Sequence, residues 1–135
     1  MTRHELRYKT MTILYQAFLY DSNNIEYNVD DIIEEQLEES NMFVSELVNG
    51  VLSKKTELDE LANKYLEDWN ISRLGFTDQA IIRMSIYEIM WTDTPDVTCI
   101  DEAVELAKEY SDEKVYKMIN GVLDKVYHSK DKNDQ

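Results

Sequence analysis

The first residues of this chain carry basic side chains at a spacing that could contact a nucleic acid. Arg3 and Arg7 are four residues apart and therefore share one face of a helix. The same face continues as a mostly apolar stripe, formed by Leu6, Thr10, Ile13, Leu14, Ala17 and Phe18. Two interpretations remain open. Either the helix end projects beyond the core with both arginines free for a ligand, or Arg7 is buried in a structural ion pair.

Aromatic side chains lie beside these arginines. His4, Tyr8 and Tyr15 fall on a neighbouring face of the same predicted helix. Aromatic rings next to basic groups can stack on unpaired bases, which is how single-stranded RNA is commonly bound. The alternative is that both tyrosines border the core with hydrated hydroxyl groups. His4 has no second ligand at helical spacing, so we predict no metal site there.

The sequence has no pattern typical of a catalytic or cofactor site. It contains no glycine-rich phosphate loop, no Cys/His metal spacing and no nucleophile elbow. We therefore predict that the protein is not an enzyme and needs no cofactor. The single cysteine, Cys99, cannot form an internal disulfide, which suits a reducing cytoplasm, and we predict that it is a small buried residue.

The charge distribution restricts where a nucleic acid could bind. A net charge of −14 argues against a general nucleic-acid binder, because phosphate contacts need lysine and arginine. No basic residue lies between Lys9 and Lys54, a stretch with nine acidic residues, whereas Arg3, Arg7 and Lys9 outnumber Glu5 at the start of the chain. Any nucleic-acid surface must therefore be small and local.

The elements that position these residues are predicted to be helices. The 135 residues suit one domain, and three glycines with one proline favour an all-α fold over a turn-rich β fold. The sequence contains no run of about 18 apolar residues, which is the length needed to span a membrane. Helical periodicity covers residues 2–20, 29–39 and 41–69, with a bend at Gly50. Residues 100–126 read as a helical hairpin in which Ser111 caps the second helix and Gly121 permits close helix packing.

Three segments resemble the NusB family of bacterial transcription antitermination factors. IDEAVELAKEY at 100–110, followed by INGVLDKV at 119–126, resembles the family's C-terminal signature, which is close to INEAxELAK, a turn, a phenylalanine and VNGVLDK. WNISRLGFTDQAIIRMSIYEIMW at 69–91 resembles its W-x-x-x-R-L segment and the AILRxxxYEL helix that follows. TRHELRYKTMTILYQ at 2–16 resembles its opening helix, in which arginines precede an ALYQ-like segment.

This resemblance implies a fold and partners. It implies an all-α single domain of about six to seven helices in two small packed bundles, with a NusB-like RNA-binding domain over residues 1–128. The tail after Tyr127 has no apolar anchor, so we expect residues 129–135 to be disordered. The resemblance also implies binding of boxA RNA together with NusE, a small-subunit ribosomal protein. The pair would act in an RNA polymerase antitermination complex during ribosomal RNA synthesis. Some family members form homodimers, so a homodimer is left open here.

The resemblance also suggests site residues. Arg3, His4 and Arg7 fall on the basic, RNA-contacting positions of the opening helix, and Tyr15 falls in the segment that follows, where it could offer a stacking face. The family has more arginines there, so we expect weaker intrinsic RNA affinity and reliance on a partner.

Further suggestions come from the second half of the chain. Lys117 and Met118 fall where the family has a basic residue and an RNA-contacting phenylalanine. Methionine cannot stack as an aromatic ring does, so a filler role at the core edge is equally open. Asp78 occupies an acidic position of the partner and RNA region, and Arg83 is predicted to form a structural salt bridge. The competing hypothesis is an acidic helical adaptor that binds protein and has little RNA affinity.

Overall fold

The computed structural model describes residues 1–133, and these form seven α-helices and one short 3₁₀ helix with no β-strand among them. The predicted all-α class and helix number are confirmed. No helix in this range is long and apolar enough to cross a membrane. The elements are α1 (Arg3–Ser22), α2 (Val29–Gln36), α3 (Met42–Ser53), α4 (Lys55–Tyr65), the 3₁₀ helix (Ile71–Arg73), α5 (Phe76–Trp91), α6 (Asp96–Tyr110) and α7 (Glu113–Asn133).

Helix α5 is the centre of the fold. It packs against α1, α3, α4, α6 and α7. Its residues from Gln79 to Ile86 are all buried, as are Glu88 and Ile89. A helix that is apolar on nearly all faces gains free energy only when neighbours surround it. Every other α-helix except α2 therefore packs against α5 with several contacts, and α2 packs against α1.

The first helix begins with a capping box. The Thr2 hydroxyl accepts a hydrogen bond from the Glu5 backbone N–H, and the Glu5 carboxylate reaches back to the Thr2 N–H. Such reciprocal bonds satisfy backbone donors that the first turn would otherwise leave unpaired. The basic residues of the predicted site therefore lie on ordered helix from its first turn.

The predicted long helix over 41–69 is wrong, because the chain forms two helices that meet at Lys54. The backbone of Lys54 leaves the helical region, with φ −110° and ψ 18°, and the Ser53 hydroxyl donates to the Gly50 carbonyl. Side-chain hydroxyls that bond to nearby carbonyls compete with regular helix. Gly50 itself lies under the Tyr87 ring, where any Cβ would overlap the ring atoms.

Two predictions about the α6–α7 hairpin are also wrong. Asp112, not Ser111, caps α7, because its carboxylate accepts from the Val115 backbone N–H at 2.9 Å. Gly121 does not mediate close packing, since a Cβ at this position would have no atom within 4 Å. Ser111 instead ends α6 and turns its hydroxyl toward α5.

The chain stays helical beyond the predicted domain end at 128. Helix α7 continues to Asn133, whereas a disordered tail was expected from residue 129. The Lys130 amine donates to the Ile89 carbonyl at 2.9 Å and to Asp96 at 3.2 Å, so this turn is fastened to the ends of α5 and α6. The remainder of the predicted tail, 134–135, lies outside the described residues.

The two helical glycines provide a matched pair for a stability test. We expect Gly121→Ala to stabilise the protein by up to about 1 kcal/mol, because it gains helix propensity at an open position. Gly50→Ala should instead lose about 1–3 kcal/mol, because the new methyl group overlaps Tyr87. Urea unfolding of both variants measures this. Equal effects of the two substitutions would contradict the assigned packing.

Candidate nucleic-acid interface

Arg7 is held in a buried ion pair with Glu88 of α5. Its Nε and one terminal nitrogen each donate to a different Glu88 oxygen at 2.9 Å, and the two side chains are 6% and 3% exposed. Burial alone lowers the pKa of Arg7, but the hydrogen bonds and charge of Glu88 outweigh it and raise the pKa. Of the two interpretations left open by the sequence, the structure has the ion pair. Arg7 is therefore not presented to a ligand.

Arg3 is the exposed cation of this helix end. It lies one turn before Arg7, with its guanidinium carbon 4.2 Å from the centroid of the Phe43 ring of α3. The Arg7 guanidinium lies 5.2 Å from the same centroid. A cation over an aromatic face gains about 0.5–1 kcal/mol at exposed sites. Phe43 thus restricts the Arg3 side chain while its charged group remains in solvent.

His4 joins α1 to α6. Its Nδ1 lies 2.9 Å from Oε2 of Glu102, and its Nε2 lies 2.9 Å from Oε1 of Glu109. The hydrogen bond to Glu102 is the main cause that raises the pKa of His4; burial opposes this shift, and the hydrogen bond to Glu109 adds to it. The predicted RNA-contacting histidine is therefore already engaged within the protein.

The tyrosines of α1 pair with rings from other helices. Tyr8 stacks on Tyr110 at the end of α6, with centroids 5.0 Å apart. Tyr15 meets Phe76 at the start of α5 edge to face, with centroids 6.0 Å apart, and remains 41% exposed. Because Phe76 already restricts the Tyr15 ring, little further freedom would be lost if a base stacked on it. The stacking role of Tyr15 stays a prediction.

Asp78 lies half-buried in the first turn of α5. It accepts a hydrogen bond from the Ser111 hydroxyl at the α6–α7 corner. Burial raises the pKa of Asp78, the Ser111 bond opposes the shift, and the charge of Asp112 adds to it. The Ser111 bond therefore ties the start of α5 to the α6–α7 corner, and the partner-binding role of Asp78 stays a prediction.

Lys117 and Met118 lie on different surfaces of α7. The Lys117 side chain is 65% exposed and its amine pairs with Glu113 at 2.8 Å, one turn earlier. Met118 lines an open groove of about 500 Å³ between α7 and the end of α4, together with Tyr65, Trp69 and Val122. This groove contains apolar side chains and Lys114 and Lys125 at its edge.

The structure brings some predicted site residues together and separates others. Tyr15 contacts Phe76 at the start of α5, the helix that carries Asp78, whereas Arg3 lies twelve residues from Tyr15, roughly 18 Å along α1. Sequence reasoning missed Phe43 and Tyr110, which hold Arg3 and Tyr8 from other helices. The periodicity of α1 could show which residues share a face, but it carries no information on long-range partners.

Comparison with known proteins identifies the family. The model of the NusB family matches residues 4–128. The chain belongs to the NusB family. Proteins named transcription antitermination protein NusB are 40% identical to it in Campylobacter jejuni strain RM1221, over 96% of this chain and 98% of that one, and in Ligilactobacillus salivarius, over 91% and 95%.

Solved NusB structures have the same fold. A Thermotoga maritima (T. maritima) NusB crystal structure superimposes with a TM-score of 0.82, at 28% identity, over 100% of this chain and 99% of that one. A chain from the crystal structure of antitermination factors NusB and NusE in complex with double-stranded RNA gives 0.76 at 25% identity, over 96% and 99%. The family and fold predicted from the sequence are confirmed.

Because Arg7 is buried in the ion pair and Arg3 is exposed, replacing each with alanine should lower the stability of the protein by different amounts. We expect Arg7→Ala to destabilise the protein by about 3–5 kcal/mol, because it leaves the Glu88 charge buried and unpaired. Arg3→Ala removes the same charge from an exposed position and should cost less than about 1 kcal/mol. Thermal or urea unfolding distinguishes them. Similar losses for both variants would mean that Arg7 is not buried against Glu88.

A second prediction concerns Cys99, whose sulfur lies 3.8 Å from Glu88 Oε2. Burial is the largest cause that raises its pKa to about 12, and the Glu88 charge adds to the shift. The thiol therefore stays protonated at pH 7–9, and we expect reaction with a thiol reagent to be very slow in the native protein. Denaturant should restore ordinary reactivity. Rapid labelling of the native protein would show that the packing around Cys99 opens to solvent.

Proposed function

We propose that this protein is a transcription antitermination factor that binds boxA-type single-stranded RNA together with the NusE-type small-subunit ribosomal protein. It would act with RNA polymerase in the cytoplasm and favour complete transcription of ribosomal RNA operons. In this proposal the protein works by binding and performs no catalysis. The observation that carries it is the likeness, over 96% of the chain, to a NusB solved with NusE and RNA.

The exposed face of α1 supports an RNA surface in this chain. Arg3 offers a charged group held over Phe43, and Tyr15 offers a ring that is 41% exposed. Lys117 adds a mobile cation on α7, and Met118 adds an apolar contact in its groove. We assign Arg7 and His4 a positioning role, because Glu88, Glu102 and Glu109 occupy their donors.

This small number of free cations implies that the protein without its partner binds RNA weakly. Each phosphate contact made by a lysine or arginine contributes separately to affinity and to its dependence on salt. With Arg7 engaged, the opening helix retains Arg3 and the partly buried Lys9. A basic ribosomal protein would supply further cations, and the net charge of −14 would attract it. RNA affinity should therefore depend on the partner.

Asp78 is proposed to be in the partner-binding region. Its carboxylate is half-buried and held by the Ser111 hydroxyl, so it presents an acceptor in a defined position near the α6–α7 corner. A partner bound there would raise RNA affinity to the extent that the two binding events are energetically coupled, and the coupling would be reciprocal.

The second candidate function is an acidic adaptor that binds a protein and has little RNA affinity. The burial of Arg7 favours this adaptor function, because it leaves one fewer arginine available to contact RNA. The adaptor and the antitermination factor share the fold and the partner. They differ only in whether the protein pair binds RNA.

RNA binding with and without the partner tests the proposal. We expect boxA-type single-stranded RNA to bind this protein weakly, and to bind at least about tenfold more tightly once the NusE-type protein is added, which is a coupling of about 1.4 kcal/mol. Affinity should fall with salt. A duplex of the same sequence tests whether the protein pair prefers single-stranded to double-stranded RNA. A stable protein pair with no RNA binding at any salt would establish the adaptor instead.

Arg3→Ala locates the RNA surface within that assay. We expect it to weaken RNA binding by the protein pair and to lower the salt dependence by about one phosphate contact. Lys55→Ala is the matched control, because it removes the same charge from the start of α4 and lies outside the proposed surface. Equal effects from both variants would leave only a general charge effect and contradict this surface.

A further inference from the structure

His4 faces three carboxylates that α6 presents at helical spacing. Glu102, Glu105 and Glu109 lie three and four residues apart and therefore share one face of that helix. His4 reaches this face from the first turn of α1. The sequence excluded a metal ligand role because His4 has no second ligand on its own helix, but the ligands come from α6 instead.

The ligand atoms of this cluster are close enough to share one ion. One ring nitrogen of His4 and one carboxylate oxygen each from Glu105 and Glu109 all lie within 4.8 Å of one another. Glu102 lies 2.9 Å from Nδ1, the other ring nitrogen. We propose that His4, Glu105 and Glu109 form a binding site for a divalent first-row transition-metal ion, for which zinc is the probe.

Glu102 supplies the outer support that such sites require. Metal-binding histidines almost always donate their second ring N–H to a carboxylate or carbonyl, which fixes the tautomer and the ring orientation. Here Glu102 accepts from Nδ1 and leaves Nε2 directed at Glu109, 2.9 Å away. Zinc would take the place of the proton between Nε2 and Glu109, and that proton would pass to solvent.

Glu105 is the residue that distinguishes a metal site from a simple ion pair. Glu102 and Glu109 already occupy both ring nitrogens of His4, so the ion pair has no use for a third carboxylate. The Glu105 side chain forms no hydrogen bond or ion pair within the described part of the chain, yet one of its carboxylate oxygens lies within 4.8 Å of the ligand atoms of His4 and Glu109. A divalent ion would compensate carboxylates that otherwise repel one another.

The donor set indicates the class of ion. An imidazole with carboxylates suits zinc and its first-row neighbours, whereas magnesium and calcium prefer oxygen donors alone. Glu105 and Glu109 are exposed, so water can complete the coordination. The bound ion would join the N-terminal turn of α1 to α6, next to Arg3.

Calorimetric titration of the metal-free full chain with zinc chloride tests this site without RNA or NusE. We expect one zinc per chain. Glu105→Gln should weaken binding at least about tenfold, because it removes an ion ligand while leaving both His4 hydrogen bonds in place. Glu102→Gln should weaken it by about 10–100-fold through the lost outer support. Circular dichroism confirms that each variant is folded.

His128→Gln is the matched control, because His128 also lies near a carboxylate, Asp124, on the exposed side of α7. It should leave the zinc affinity unchanged. The site would be overturned if Glu105→Gln left the zinc affinity unchanged, or if His128→Gln abolished it. It would also be overturned if the unchanged protein bound no zinc at millimolar concentration. These outcomes are independent of whether the protein binds RNA.

Discussion

The buried pair of Arg7 and Glu88 is the constraint on which the rest of this surface depends. Two charges that are 6% and 3% exposed must satisfy each other, since neither can reach water. Two parallel hydrogen bonds therefore fix the first turns of α1 against the far end of α5. Phe43 and Cys99 pack around the pair, and the position of Arg3 follows from it. One arginine is thereby structural, and its neighbour one turn earlier is the free cation.

The charge distribution gives this arrangement its functional meaning. A protein with net charge −14 repels RNA over most of its surface, so a few exposed cations and rings must provide any specific contact. Arg3 and Tyr15 of α1 and Lys117 of α7 are the residues proposed to meet that requirement, and Phe43 of α3, Phe76 of α5 and Glu113 of α7 contact them. Binding by such a sparse set is strengthened most when a basic partner lies alongside. The dependence on NusE proposed here thus follows from the small number of exposed cations on this protein.

The sequence predicted the helices well, but it could not predict contacts between distant residues. The all-α fold, the face shared by Arg3 and Arg7, and the exposed ring of Tyr15 follow from local periodicity. The structural role of Arg83 was also predicted, and it pairs with Asp59 at 2.7 Å. Whether Arg7 is free depends on Glu88, 81 residues away, and no local pattern encodes that distance. The approach of the α6 carboxylates to His4, about 100 residues away in sequence, likewise depends on tertiary packing.

The most direct test of these two arginine roles follows the side-chain Nε–H signals of Arg3 and Arg7 by NMR while RNA is added to the protein pair. We expect the Arg3 signal to shift on RNA binding. The Arg7 signal should stay in place and exchange slowly with solvent, because Glu88 holds it in the bound and free states alike. A shift of Arg7 with no change at Arg3 would show that RNA displaces the ion pair, and would contradict the assignment of the two roles.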